Sequence, residues 1–420
     1  MNIKELYEVF TAHPVVTTDS RDCPAGAMFF ALKGDNFDGN AYAETALDKG
    51  CAYAVIDEAE FAKEGDDRYI VVDNVLLTLQ RLARHHRRTL GTTIIGITGT
   101  NGKTTTKELT AAVLQKKYRI LYTQGNLNNQ IGVPKTLLRL TKDDELAVIE
   151  MGASHPGDIR ELVEIVEPNY GLITNVGKAH LLGFGSFEGV IHTKGELYDF
   201  LREHDGQVFI NRQNPYLMGI ADGLRLLPYA EGRLIDCAPF LHFEWEGHEV
   251  QTQLIGAYNI DNALAAATIG QHFGVPTDDI CAAIAAYQPS NNRSQLTKTA
   301  DNVLVVDAYN ANPTSMTAAI ENFRLMEAPH KMCILGMMGE LGEVSGEEHQ
   351  RIVELLKANR FEAIWLVGSE FQKTEHPADF LTFDNVDAVK AYLTDHKPTE
   401  RTILIKGSNS QKLFQLPEKL

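Results

Sequence analysis

The sequence predicts an α/β protein of three domains, the last of them a Rossmann-like doubly wound sheet. Three observations carry that expectation. Short β-branched runs alternate with helical stretches along the whole chain, the pattern of parallel sheets covered by helices. The length, 420 residues, suits two or three domains at about 150 residues each. Near residue 297 a fresh series of apolar strands begins, NVLVVDAY, KMCILGM, AIWLVG and RTILIKG, with helices between them, and this reads as a doubly wound unit.

The first block, residues 1–88, holds the strands MFFAL (28–32), CAYAVID (51–57) and YIVVD (69–73) and the helix 74–89. That helix carries Arg81, Arg84, Arg87 and Arg88. The cluster reads as a solvated face, with phosphate contact as the sharper alternative. The second block, 89–296, opens with TTIIGIT (92–98) and continues through LAVIEMG (146–152) and YGLITNV (170–176). Within it, 240–254 alternates like a β-hairpin turning at Glu246-Gly247, and 261–273 is a helix of small residues. The third block is 297–420.

Composition excludes several classes of function. With 44% hydrophobic and 23% charged residues the chain is an ordinary globular protein. A formal net charge of -17 argues against nucleic acid or an anionic membrane as partner. No run of about 18 apolar residues is present to insert into a membrane. The start, MNIKELYEVFTAHP, lacks the apolar core of a secretory signal, so a cytoplasmic location is expected. Cys23, Cys51, Cys237, Cys281 and Cys333 are scattered without a CxxC pair. They read as reduced thiols rather than a disulfide frame or a zinc site.

The strongest motif is Gly96-Ile97-Thr98-Gly99-Thr100-Asn101-Gly102-Lys103-Thr104-Thr105, between an apolar strand and the helix TKELTAAVLQ. Glycines let backbone N–H groups approach phosphate oxygens, and the helix N-terminus favours anions. The lysine balances charge, and the hydroxyl of Thr104 suits Mg²⁺. Gly99 through Thr105 are therefore the nucleotide-phosphate candidates. Ile97 stands where the general pattern has its first glycine, and the motif alone names no reaction.

The form G-x-T-G-T-N-G-K-T-T-T resembles the Mur ligases and their folylpolyglutamate synthetase relatives. Further segments resemble the MurF-type branch of that family: Gly125-Asn126-Leu127-Asn128-Asn129-Gln130-Ile131-Gly132-Val133-Pro134, Glu150-Met151-Gly152-Ala153, Asn175-Val176-Gly177-Lys178-Ala179-His180, Lys194-Gly195-Glu196, and Asp307-Ala308-Tyr309-Asn310-Ala311-Asn312-Pro313. Asp19-Ser20-Arg21 and Phe30-Ala31-Leu32-Lys33-Gly34 look like that branch's UDP-binding domain. Matching segments run from about residue 17 to 410. Tyr258, Met337 and the stretch Lys406-Gly407-Ser408-Asn409 depart from the family's usual histidine, aspartate and arginine.

The resemblance implies an ATP-dependent amide ligase. It would join D-alanyl-D-alanine to a UDP-N-acetylmuramoyl tripeptide through an acyl phosphate, with two Mg²⁺ ions. A UDP-binding domain, a central ATP-binding domain and a C-terminal domain are implied, and a monomer is expected. By the same resemblance Lys103, His180 and Lys194 are catalytic. Thr104, Glu150, His180 and a carbamylated Lys194 hold metal, and Asn259, Asn262, Arg293, Asp307 and Asn310 meet ATP. Ser20 and Arg21 take the UDP end, and Asn126, Asn128 and Asn129 lie near the muramoyl tripeptide. Read without the family, Glu150 is a strand-edge carboxylate, Arg293 a hinge arginine and Asn310 turn chemistry before a helix. Two other functions stay in view: a related ligase that takes a single amino acid, and a nucleotide-driven binding module.

Overall fold

The computed structural model describes residues 1–289 and 295–420. Three parallel-rich sheets follow one another along the chain. The first has four strands, β1 (Val16–Thr17), β2 (Met28–Phe30), β3 (Tyr53–Ile56) and β4 (Tyr69–Val71), paired in that order and all parallel.

The second sheet holds β5 (Thr93–Thr98), β6 (Ile120–Tyr122), β7 (Leu146–Glu150), β8 (Tyr170–Ile173), β9 (Gln207–Ile210) and β10 (Arg225–Pro228). Its spatial order is β10-β9-β8-β5-β7-β6, parallel throughout. The central strands β5 and β7 are apolar almost without a break because helices cover both faces. A small antiparallel sheet follows: β11 (Arg233–Asp236), β12 (Phe240–Trp245) and β13 (His248–Ile255). The expected hairpin is β12–β13, and its turn uses Glu246 at φ 50 and Gly247 at φ 76, the left-handed pair that a two-residue hairpin favours.

The third sheet contains β14 (Gln295–Lys298), β15 (Asn302–Asp307), β16 (Lys331–Gly336), β17 (Ala363–Val367), β18 (Leu381–Phe383) and β19 (Arg401–Lys406), in the order β14-β15-β19-β16-β17-β18. Only the edge strand β14 runs antiparallel. The four strands expected from the sequence form its centre. The two edge strands were not anticipated, since each is short and only partly buried.

The arginine-bearing helix Val75–Leu90 is only in part the solvated face expected of it. It starts on an Asn74 cap and ends on Gly91 at φ 69. Arg84 and Arg88 pair with Glu167, and Arg87 donates to the carbonyls of Val166 (2.9 Å) and Glu167 (2.6 Å). These three side chains bolt the first block to the end of the helix Asp158–Val166 in the second; Arg87 is buried, while Arg81 and Arg88 remain exposed. Core residues of both blocks form one continuous cluster, from Leu6 and Phe10 through Ile94 and Ile149 to Leu217. Among the described residues no helix is long and apolar enough to cross a membrane.

Candidate active site at the phosphate loop

Strand β5 delivers the chain to the loop 99–102, and the helix Lys103–Leu114 begins at once. Two glycines in this loop are sterically required. A Cβ at Gly99 would lie 2.0 Å from Thr174 Oγ1, and one at Gly102 (φ +79) would lie 2.5 Å from Asn262 Oδ1. Asn175 clamps the loop: its Oδ1 accepts from the Asn101 N–H and its Nδ2 donates to the Asn101 carbonyl, both at 3.0 Å. Lys103 Nζ donates to the carbonyls of Gly99 (2.8 Å) and Thr100 (3.2 Å). The ammonium thus sits over the cradle that phosphate oxygens would enter.

Glu150 ends β7 beside β5, at the carboxyl edge where open α/β sheets place ligands. Its side chain is 1% exposed. The Thr104 hydroxyl donates to both carboxylate oxygens (3.2 and 3.0 Å), and Asn128 Nδ2 donates to Oε1 at 2.9 Å. A hydroxyl and a carboxylate at the mouth of a phosphate loop are hard oxygen donors that suit Mg²⁺. Among the described residues no three His, Cys, Asp or Glu side chains converge as a cage, so a metal here would complete its shell with phosphate and water.

His180 and Lys194 lie beyond this pair. His180 adopts φ 51, left-handed for a side-chain-bearing residue, and its Nδ1 pairs with Glu340 of the third block. Burial lowers its pKa. Glu340 opposes that shift, while Lys103 and Lys194 add to it. Lys194 is 2% exposed, with its Nζ 3.4 Å from the Ala153 carbonyl. Burial first, and then the Lys103 cation, push its pKa well below the ordinary lysine value.

The third block closes over the loop. Asn312 Nδ2 donates to Asn101 Oδ1 at 2.8 Å. Lys178 pairs at 2.5 Å with Glu348, which is 4% exposed, and the Leu182 N–H donates to the Glu340 carbonyl. The cavity between the two blocks has a volume of about 720 Å³. Thr100, Asn101, Gly102, Lys103, Thr104, Thr105, Glu150 and His180 line it. So do Asn259, Asn262, Asp307 and Asn310, and Asn128 and Asn129. Asn262 also braces the loop helix, accepting from Thr106 and donating to Asn259.

Not every expected residue meets there. Gly99 and Lys194 are not among the residues that line the cavity. Asn126 is exposed at the outer end of its loop. Ser20 and Arg21 lie apart, on the loop after β1, where Arg21 pairs with Asp19 at 2.8 Å and Lys49 donates to the Ser20 carbonyl. A link from Lys135 Nζ to Thr18 Oγ1 (3.4 Å) joins that loop to the helix following the asparagine-rich segment. Arg293 lies outside the described residues. Reading the sequence missed the roles of Asn175 and Asn312. It also missed Lys406, which is buried and donates to Asp307 Oδ2 (2.6 Å) and the Asn310 carbonyl (3.1 Å).

A phosphate loop on a parallel sheet, faced across a cavity by a second doubly wound sheet, defines a nucleotide-using enzyme built from converging α/β domains. The Mur ligase family, catalytic domain, matches residues 14–87; the Mur ligase middle domain matches 97–270; and the Mur ligase, glutamate ligase domain, matches 292–409. The UDP-N-acetylmuramoyl-tripeptide--D-alanyl-D-alanine ligase of Bacillus subtilis is 35% identical over 374 residues, covering 86% of this chain and 81% of that protein. The Escherichia coli ligase of the same name is 34% identical over 426 aligned residues, covering 96% and 92%. The crystal structure of MurF from Acinetobacter baumannii superposes with a TM-score of 0.85 at 29% identity, covering 96% of this chain and 92% of that one. MurF from Thermotoga maritima in complex with ADP gives 0.84 at 26% identity, covering 96% of each. The chain belongs to the Mur ligase family.

Proposed function

We propose that this enzyme forms an amide bond at the cavity between its second and third domains. It is an ATP-dependent ligase that adds D-alanyl-D-alanine to a UDP-N-acetylmuramoyl tripeptide, a step of peptidoglycan precursor synthesis. The observation that carries the reading is the phosphate loop, with Thr104 and Glu150 joined at its mouth and Asn128 delivered there by the asparagine-rich segment.

The tripeptide carboxylate attacks the γ-phosphorus of ATP, giving an acyl phosphate and ADP. The neutral amine of D-alanyl-D-alanine then attacks the acyl carbon, its surplus proton passes to a phosphate oxygen or a site residue, and the tetrahedral intermediate expels phosphate. Two anions must meet in the first step, so positive charge is needed at the γ-phosphate. Lys103 supplies it by swinging from the loop carbonyls to the phosphates. Magnesium held by Thr104 and Glu150 would neutralise the β- and γ-oxygens. His180 and a carbamylated Lys194 would hold a second ion near the carboxylate. Asn259, Asn262, Asp307 and Asn310 fit the nucleoside end of the cavity. Asn128 and Asn129 orient the tripeptide, with Asn126 at the outer end of the same loop, while Ser20 and Arg21 take the uridine diphosphate. The domain limits near residues 88 and 296, a monomeric state and a cytoplasmic location belong to the same proposal.

Phosphate release from ATP is expected to need both a UDP-muramoyl tripeptide and D-alanyl-D-alanine. A panel of UDP-muramoyl peptides and of amino-acid and dipeptide acceptors tests this. Preference for a single amino acid, or hydrolysis indifferent to donor and acceptor, would overturn it.

Because the cavity takes walls from two domains, nucleotide should hold them together. Small-angle scattering is expected to give a smaller radius of gyration with donor and a non-hydrolysable ATP analogue than without them. Equal radii would mean that the contacts of Asn312, Lys178 and His180 persist without ligand, and nucleotide-driven closure would be dropped.

A further inference from the structure

We infer that Lys107 is a positioning residue that sets the carboxylate of Glu150 for catalysis. The inference rests on Glu150 being a magnesium ligand. Lys107 follows Lys103 by one helical turn and is fully buried, with 0% side-chain exposure. A buried ammonium is costly unless paired and hydrogen-bonded. Here Glu108 pairs with it at 2.7 Å, which accounts for its charge but not for its direction. The Nζ is aimed at two other elements. It donates to the Thr123 carbonyl at 2.7 Å and lies 4.0 Å from Glu150 Oε2, above the Tyr122 ring.

Thr123 is the point at which these elements are tied together. Its N–H donates to the Val148 carbonyl at 3.1 Å. Its Oγ1 accepts from the Glu150 N–H at 2.9 Å, and its carbonyl receives Lys107. The asparagine-rich loop leaves from here and returns at Asn128, whose Nδ2 donates to Glu150 Oε1 and whose carbonyl accepts from the Gly152 N–H at 2.7 Å. Glu150 is thus gripped on Oε1 by Asn128, on both oxygens by Thr104, and faced on the Oε2 side by Lys107. One buried cation couples the phosphate-loop helix, the strand end bearing Glu150 and the root of the loop that reaches the donor. Groups that orient a metal ligand in this way commonly change metal affinity or activity by roughly 10- to 100-fold when removed.

The test is Lys107→Met, which keeps the volume and drops the charge. Mn²⁺ binding in the presence of a non-hydrolysable ATP analogue, read from the spin-resonance signal of free Mn²⁺, is expected to weaken by roughly tenfold or more. The KM for the UDP-muramoyl donor should rise while that for ATP stays within about threefold, because Lys103 and the loop amides are untouched. Lys107→Gln, which retains a donor but no charge, carries the same expectation should the methionine variant fail to fold. A lowered melting temperature with parental Mn²⁺ affinity and KM values would show a merely structural lysine and overturn the inference. Glu150→Gln serves as the control. If it binds Mn²⁺ like the parent enzyme, the metal assignment itself falls, and the role of Lys107 falls with it.

Discussion

Lys103→Ala is expected to lower turnover by on the order of 10²-fold or more while leaving the protein folded. The loss is large because the substrate carboxylate and the γ-phosphate repel each other. The ammonium of Lys103 already sits at the centre of the loop, on the carbonyls of Gly99 and Thr100. Folding should survive because other groups hold the loop. Asn175 brackets Asn101 from both sides, the Thr174 hydroxyl donates to the Asn101 carbonyl at 2.6 Å, and Gly99 and Gly102 keep their close packing. Phosphate release under saturating substrates measures the effect, with near-ultraviolet circular dichroism as the check on folding. Near-parental turnover in a folded variant would remove Lys103 from phosphate chemistry.

What could be read from the sequence follows the range of the interactions. The phosphate loop was legible because strand, glycines, lysine and helix are contiguous, and each has a local reason. The three-domain α/β class was legible because buried parallel strands are apolar on both faces, as in β5 and β16. Glu150 could be placed at a strand end, yet its grip by Thr104 and Asn128 joins residues 46 and 22 positions away, and nothing local announces it. Asn312 was read within a turn-and-cap segment; its bond to Asn101 spans 211 residues. The partners of the arginines on the helix Val75–Leu90 escaped for the same reason. A charged stripe on an isolated helix resembles a solvated face, and only the fold brings Glu167 and the carbonyls at the end of a neighbouring helix beneath it. The short edge strands escaped because two to four half-exposed residues carry almost no periodicity. His180 and Lys194 were reached through family resemblance alone: in the sequence each is a single residue, and the burial of Lys194 and the pairing of His180 with Glu340 are properties of the fold.

Lys194→Ala is expected to be nearly inactive, with partial recovery when a short carboxylic acid is added, and Lys194→Arg should be inactive as well. The amine is fully enclosed, 5.4 Å from the centre of the Phe184 ring. The carboxylates near it are engaged elsewhere. Glu196 accepts from the Gly157 and Arg160 N–H groups at 3.0 and 2.8 Å, and Asp158 accepts from those of Ser154 and His155 at 2.8 and 2.9 Å. An ammonium there would repel Mg²⁺. Burial, reinforced by the Lys103 cation, lowers its pKa, so the neutral amine is favoured at lower pH than for an ordinary lysine. That form can attack CO₂, forming an N–C bond and releasing a proton. The resulting carbamate is anionic and offers the oxygens that magnesium prefers. An added carboxylic acid could restore those oxygens in the alanine variant, whereas arginine keeps the positive charge and cannot form the ligand. Recovery should therefore follow the size of the acid and be absent in the arginine variant. An active Lys194→Arg enzyme would show that the side chain acts as a simple cation, and the carbamate would have to be abandoned.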